Sequence, residues 1–245
     1  LVKDICDVTE NDLGEYDFIV NFAAESHVDN SIADGKPFVN TNVMGTFNLL
    51  ELARKNPKLK KFVQISTDEV YGDMAEHFSI NHSATTDSPI KPSSYYSATK
   101  AAADMLVQSC HRTFGLPYLI TRTCNNFGKR QHPEKFIPKI FKNISDGVPV
   151  PVYGNGTQIR EWIWVEDNVN EIFRLMNTDV TGVYHIGSGD LWKNIEIIEY
   201  IGKVIDKKVE YKFVEDRLGH DKKYSLTSKK ILNLYPLKEY LNVMS

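Results

Sequence analysis

The chain has 245 residues, 42% apolar and 25% charged, with 29 basic against 32 acidic side chains and a net charge of −3. Those proportions belong to a soluble globular protein and exclude a disordered, collagenous or coiled-coil chain. The slightly acidic balance argues against a nucleic-acid or membrane partner, and no run approaches the roughly 20 apolar residues of a membrane span. Three widely spaced cysteines (Cys6, Cys110, Cys124) lack any Cys-x-x-Cys pair. They read as reduced thiols of a cytoplasmic protein. The seven histidines show no ligand-pair spacing, so no metal site is expected. None of the 14 glycines builds a Gly-x-Gly-x-x-Gly loop, so a complete nucleotide-cradling turn of that kind is missing.

Strand-like and helix-like runs alternate along the chain. Asp17–Asn21 reads as a buried strand, Pro37–Lys55 as a helix with apolar residues at helical spacing, and Lys61–Ser66 as a second strand. Tyr96–Phe114 reads as a helix stopped by Gly115, and Pro117–Arg122 as a third strand. Strand–helix–strand alternation predicts a parallel sheet with helices on both faces. From about Asn125 the elements shorten. Helix Glu134–Asp146, strand Val148–Tyr153, a Gly154–Gly156 turn and strand Arg160–Val165 are expected. A helix from Asn168, strand Val183–Ile186, helix Ile195–Ile205 and strand Val209–Val214 follow, with a C-terminal helix and irregular end within Lys229–Ser245.

Three places can carry chemistry. Tyr96 and Lys100 stand four apart on a helix, hence on one face, where an ammonium favours the phenolate. With 12 tyrosines, roughly one such pair arises by chance, so the spacing alone decides nothing. Thr67-Asp68-Glu69 follows the strand Lys61–Ser66 directly, at the strand-end edge where open α/β sheets bind ligands. A hydroxyl and two carboxylates there can bind a substrate hydroxyl, donate a proton and remove one; a lone Asp-Glu pair is otherwise a common turn or helix cap. Phe22-Ala23-Ala24 closes the preceding strand, with side chains small enough at Ala23 and Ala24 for a flat cofactor to approach the backbone.

The strings NFAAESHVDNS, STDEVYG, YSATKAAAD, TRTCNNFG, HPEKFIPKI, YGNGTQIREWIWVED and DRLGHDKKY extend from Asn21 to Tyr224. With them the chain resembles the extended short-chain dehydrogenase/reductase family, and within it the nucleotide-sugar 4,6-dehydratases of the dTDP-glucose type. The discriminating string is Thr67-Asp68-Glu69, where related epimerases and decarboxylases carry small or single-acid residues.

The resemblance implies an internal redox dehydration with NAD. Tyr96 takes the proton of the sugar 4-hydroxyl, Lys100 tunes it and holds the nicotinamide ribose, and Thr67 bonds the reacting oxygen. Glu69 removes the carbon 5 proton and Asp68 protonates the departing 6-hydroxyl. It also implies Asp4 and Ile5 at the adenine, Phe22, Ala23, Ala24, Glu25 and Thr41 along NAD, and Asn126 at the cofactor. Ser26 and Asn125 are implied to touch the substrate. Lys135, Phe136, Pro151, Val152, Tyr153, Arg160, Asn194, Asp216, Arg217 and His220 are implied for the nucleotide-diphosphate pocket. Arg160 taken alone reads instead as half of an ion pair with Glu161.

The implied fold is α/β: a Rossmann-like doubly wound parallel sheet, partial and holding NAD and the catalytic residues over 1–124. A smaller substrate-binding α/β domain follows over 125–245, with segments that can return to the sheet. Asp4-Ile5 matches the position after a third strand. The resemblance therefore implies that about 50–60 residues, with the first strands and the glycine loop, precede this sequence in the fold. The helices Pro37–Lys55 and Tyr96–Phe114 are apolar over more than one face, which ordinary packing on the sheet would explain, and the resemblance implies that the pair also forms a homodimer interface. Gly128-Lys129, Arg160-Glu161 and Leu218 depart from the family strings, and no Gly-Trp-x-Pro follows Tyr224. Still open at this point are a UDP-sugar dehydratase, an epimerase or decarboxylase, and a catalytically silent sugar-nucleotide binder.

Overall fold

The computed structural model describes residues 2–77, 79–228 and 237–244. In chain order it forms a 3-10 turn (Glu10–Asp12), β1 (Phe18–Asn21), α1 (Val28–Ala33), α2 (Lys36–Phe38), a π-helical stretch (Val39–Gly45) and α3 (Thr46–Ala53). β2 (Lys61–Thr67) runs into a second 3-10 turn (Asp68–Tyr71), then α4 (Met74–His77), α5 (Tyr95–Phe114), β3 (Tyr118–Thr123) and β4 (Asn125–Phe127). Next come α6 (Phe136–Ser145), β5 (Val150–Tyr153), β6 (Ile159–Trp164), α7 (Val165–Met176) and β7 (Gly182–Ile186). The last are β8 (Leu191–Lys193), α8 (Asn194–Val204), β9 (Tyr211–Val214) and α9 (Leu237–Met244). Two compact units result, one of Leu1–Gly72, Thr86–Thr123 and Ile172–His185, the other of Asp73–Thr85, Cys124–Glu171 and Ile186–Ser245.

The first unit is built on a four-stranded sheet in the order β1-β2-β3-β7. β1 and β3 both run parallel to β2, with Val20 beside Val63 and Ile65 beside Thr121. Phe62 and Val63 are fully buried and Gln64 nearly so, the continuous burial of a strand covered on both faces. Leu49, Leu50, Leu52 and Ala53 of α3 pack with Val107 and Cys110 of α5 and with Phe62 and Ile120 of the sheet. Each such large side chain contributes about 1.5–3 kcal/mol of hydrophobic free energy. Helix α5 starts where Ser94 Oγ accepts the Ser97 N–H, and stops at Gly115 in the left-handed region (φ +73°). Buried Lys61 donates from Nζ to the carbonyls of Leu175, Met176 and Thr178 at the end of α7.

The second unit holds a three-stranded sheet, β4-β6-β8, and a two-stranded one, β5-β9. β4 pairs parallel with β6, β8 antiparallel with β6, and β5 parallel with β9. Its core joins Ile137, Ile140 and Ile144 of α6 with Ile197, Ile198 and Ile201 of α8 and with Trp162 and Trp164 of β6.

Parallel alternation and the long elements match the expectation, whereas details differ. The segment expected as one helix, Pro37–Lys55, is helical without a break from Lys36 to Ala53 but π-helical at its centre; apolar periodicity does not register one inserted residue in a turn. α6 begins at Phe136 with Lys135 in the capping position, α7 begins at Val165, and β9 begins at Tyr211. α1, α4, β4 and β8 were not expected; at three to six residues each, they hold too few periods to register. Of the C-terminal expectation, 229–236 and 245 lie outside the described residues, and 237–244 are helical. None of the three cysteines forms a disulfide. No helix among the described residues is long and apolar enough to cross a membrane.

Candidate active site

The parallel ladder of β2 and β3 ends at Thr67 beside Thr123, and the chain there turns sharply into Asp68–Tyr71. Thr67 is the cap of that turn: extended itself, it accepts the Glu69 N–H on Oγ1 at 3.3 Å. The same hydroxyl donates to Asp68 Oδ1 at 3.2 Å and faces the Tyr96 phenol. Asp68 is buried and Glu69 half-buried. The turn closes on Gly72 at φ +69°, where a Cβ would stand 1.9 Å from the Lys91 carbonyl oxygen. Only glycine fits both the conformation and the space.

Helix α5 brings Tyr96 and Lys100 to the same edge, as four-residue spacing dictates. Lys100, 5% exposed, donates from Nζ to the Ile65 carbonyl of β2 at 2.5 Å. Burial pulls its pKa from 10.5 down to about 8, against the opposing pull of Asp104 one helical turn on. Tyr96 is pushed far above the usual phenol value, by burial first and then by the charge of Glu69, with Asp68 and Asp104 adding and the nearby Thr67 hydroxyl opposing. The sequence suggested the reverse, a phenol lowered by Lys100. The difference is physical: the ammonium is committed to a backbone carbonyl while two carboxylates face the phenol.

The residues expected along a cofactor lie at the end of β1 and on the helical stretch behind it. Phe22 is 57% exposed, and Ala23 and Glu25 are also exposed. Ala23 N–H is bonded by Asn21 Oδ1. Asn42, 2% exposed and in the π-helical stretch, clamps Glu25 through both its N–H (2.9 Å) and its C=O (3.0 Å), and donates to Thr99 Oγ1 on α5. Thr41 precedes it and is half-buried, and Ser26 is exposed. Asp4 accepts the Cys6 N–H, and Asn48 holds the Ile5 carbonyl.

The other expected residues all belong to the second unit. Asn125 and Asn126 lie on β4, with Asn126 Nδ2 donating to the Cys124 carbonyl. Lys135 precedes α6, and Phe136 opens it, its ring stacked on Trp162. Pro151, Val152 and Tyr153 form β5, where Val152 faces the core and Tyr153 is 38% exposed. Asn194 opens α8. Tyr153 meets the edge of His220, whose Nδ1 donates to Asp216 Oδ1 at 2.6 Å. Burial first, then Arg217, drops the His220 pKa to about 4 although Asp216 opposes. Neutral His220 therefore offers Nε2 as an acceptor. Gln158 Nε2 bonds Asp216 and the Tyr153 carbonyl, tying these segments together.

Arg160 does not pair with Glu161. It lies over the Tyr224 ring at 4.3 Å and donates to the Ile159 and Asp221 carbonyls. Glu161, fully buried, accepts the N–H groups of Gly189 and Leu226.

Sequence reasoning missed Asn42, Gln158 and Asp104. Asp104 had a signal, since it continues the Tyr96–Lys100 helix face by another four residues.

The sequence profile of the NAD dependent epimerase/dehydratase family matches residues 4–187. The low-salt glycan biosynthesis protein Agl12 of Haloferax volcanii is 49% identical over 220 residues, 89% of this chain and 69% of that protein. A dTDP-glucose 4,6-dehydratase of Haemophilus influenzae is 43% identical over 254 residues, 93% of this chain and 74% of its own. A double mutant of the dTDP-glucose 4,6-dehydratase of Streptomyces venezuelae, solved with NAD bound, superimposes with a TM-score of 0.91 at 37% identity. That match covers 98% of this chain and 76% of the other. The α/β sheet with Rossmann-like connectivity and the strand-end Thr-Asp-Glu turn thus sit in a sequence that matches over most of its length, and the chain belongs to the NAD dependent epimerase/dehydratase family.

Proposed function

We propose that the protein is a lyase that dehydrates a nucleotide-activated hexose of the dTDP-glucose kind to its 4-keto-6-deoxy form by internal hydride transfer. The carrying observation is the capped turn Thr67-Asp68-Glu69 at the end of β2, whose hydroxyl and two acids face Tyr96 of α5. A 4-epimerase needs a base at the 4-hydroxyl; only an elimination across carbons 5 and 6 needs two further carboxyls beside it.

The family's cofactor is NAD. The residues present fit it: a hydroxyl and an ammonium on one helix face, an exposed Phe22 ring at the end of β1, and Ala23 and Ala24 with little side chain to obstruct a flat ring. Tyr96 and Lys100 would hold its ribose hydroxyls, with Glu25, Thr41, Phe22, Asp4 and Ile5 along it. When bound, NAD supplies the hydride acceptor for carbon 4 and the hydride donor for carbon 6.

Tyr96 takes the proton of the sugar 4-hydroxyl, and Thr67 holds that oxygen. Glu69 removes the carbon 5 proton, acidified by the neighbouring ketone, and Asp68 gives its proton to the departing 6-hydroxyl. The raised phenol is protonated as the chain stands and must ionise before it can act as that base. A protonated Asp68 removes one of the charges that resist ionisation of Tyr96, so the acid and the base are set together. In the second unit, Arg217 and Lys135 would bind the diphosphate and the exposed Tyr153 ring would cover the base. Asn194, Asp216 and His220 supply further polar contacts there, with Ser26, Asn125, Phe136, Pro151 and the backbone of Val152 completing the substrate contacts and Asn126 meeting the cofactor.

Val39, Met44 and Phe47 on the helical stretch from Lys36 to Ala53, with Met105 on α5, expose apolar side chains. We assign them to a homodimer interface.

The test is product analysis. The natural protein that carries this sequence, with NAD⁺ and dTDP-glucose, yields the 4-keto-6-deoxy sugar; formation of the 4-epimer alone refutes the proposal.

A further inference from the structure

Behind the turn that carries the two acids lies a buried polar chain that the reaction does not touch. Asp104 of α5 is fully buried and accepts two bonds on Oδ2, from Ser66 Oγ of β2 at 3.0 Å and from Arg122 Nε of β3 at 2.9 Å. Arg122, 2% exposed, donates from Nη1 to the Tyr71 hydroxyl at 2.7 Å, and its guanidinium lies 5.0 Å over the Tyr71 ring. Since Tyr71 accepts from Arg122, its own proton points to His185 Nε2, 2.6 Å away on β7. The His185 ring meets the Tyr71 ring edge-on at 5.4 Å. Tyr71 itself has no exposed surface and is the last residue of the Asp68–Tyr71 turn.

A fully buried ion pair needs a reason, because desolvation offsets much of its attraction and a hydrophobic replacement is often as stable. Here the pair has a geometric role. Thr67 fixes the front of the acid turn and Gly72 ends it, and at its rear the Tyr71 hydroxyl is anchored by two side chains. That hydroxyl is held by strands β3 and β7, and through Asp104 by the helix that carries Tyr96 and Lys100. The acid turn and α5, which carry reacting groups on different elements, are thus locked to one another through three side chains, Tyr71, Arg122 and Asp104.

We propose that Tyr71, anchored by the Asp104–Arg122 pair and by His185, is a positioning residue that holds Asp68 and Glu69 in register with the base on α5. The inference rests on the dehydration proposed above. It makes Tyr71 matter for elimination across carbons 5 and 6 and not for the first oxidation at carbon 4, which needs only Tyr96, Lys100 and Thr67. A displacement near 1 Å at a reacting carboxyl costs up to about 100-fold in rate.

The test separates those two steps in the natural protein loaded with NAD⁺. On mixing with dTDP-glucose, the nicotinamide absorbance at 340 nm rises with oxidation and falls as elimination and reduction follow. For Tyr71→Phe we expect the rise within twofold of wild type, the fall about tenfold slower, and the urea unfolding transition still cooperative. If Tyr71→Phe does not fold, His185→Phe, which leaves the Tyr71 hydroxyl without its acceptor, must slow the fall selectively in the same way. Unchanged rise and fall, or equal slowing of both, overturns the positioning role. A wild-type protein with neither absorbance change nor product refutes the proposed reaction itself, and the positioning role with it.

Discussion

Tyr96, Lys100 and Asp104 repeat at the spacing of one helix face, and each has a different electrostatic fate. Asp104 is raised by desolvation despite Arg122, Tyr96 is raised by burial and by Glu69, and Lys100 is lowered to about 8 by burial. A lysine whose folded pKa lies below its unfolded value of 10.5 binds its proton more weakly in the folded state. Below about pH 8 that costs stability in full, and the cost fades as pH climbs toward 10.5. Wild type should therefore gain stability over that window, at up to about 1.4 kcal/mol per pH unit, relative to Lys100→Met. Urea unfolding at pH 7.5 and 10 checks it, with parallel profiles the contrary result. The Glu69→Gln variant keeps size and hydrogen bonding but cannot take a proton. It should lower product formation about 100- to 1,000-fold while leaving the unfolding midpoint within a few degrees. Wild-type turnover would remove Glu69 from the reaction.

Among the elements, the capped 3-10 turn from Asp68 to Tyr71 depends most on one position. Gly72→Ala would force φ +69° on an L side chain and drive a Cβ into the Lys91 carbonyl. We expect a loss of about 2–4 kcal/mol in unfolding free energy and, because the turn shifts, a drop in turnover larger than the stability change explains. Denaturation and kcat on the same preparation test this; a variant as stable as wild type would show that the loop yields easily. The turn was legible in sequence as a strand-end acid pair, since Thr67-Asp68-Glu69 directly follows an apolar β-rich run. The π-helical stretch was not. Val39–Gly45 keeps its apolar residues at near-helical spacing, and what distinguishes it is the long-range clamp of Asn42 on Glu25, 17 residues away in sequence. The ion pair of Asp104 with Arg122 was equally hidden, because it forms only where α5 packs against β3, between residues 18 apart in sequence.

Across the whole molecule, the residues assigned to proton transfer fall in one compact unit and nearly all those assigned to the nucleotide in the other. The motif strings showed that order along the chain, but not that Asp73–Thr85 joins the second unit while Ile172–His185 returns to the first. Those exchanges come from tertiary pairing: buried Asp73 accepts the N–H groups of Lys222 and Lys223, and Ala84 pairs with Leu226. The central assignment is that Asp68 and Glu69 make the chemistry an elimination. The most direct measurement is turnover of dTDP-glucose with NAD⁺ in deuterated water, with the product read by NMR. Dehydration predicts a 4-keto-6-deoxy sugar carrying solvent deuterium at carbon 5, because the proton taken by Glu69 exchanges before one is returned. A 4-epimer with its original proton at carbon 5 would contradict it.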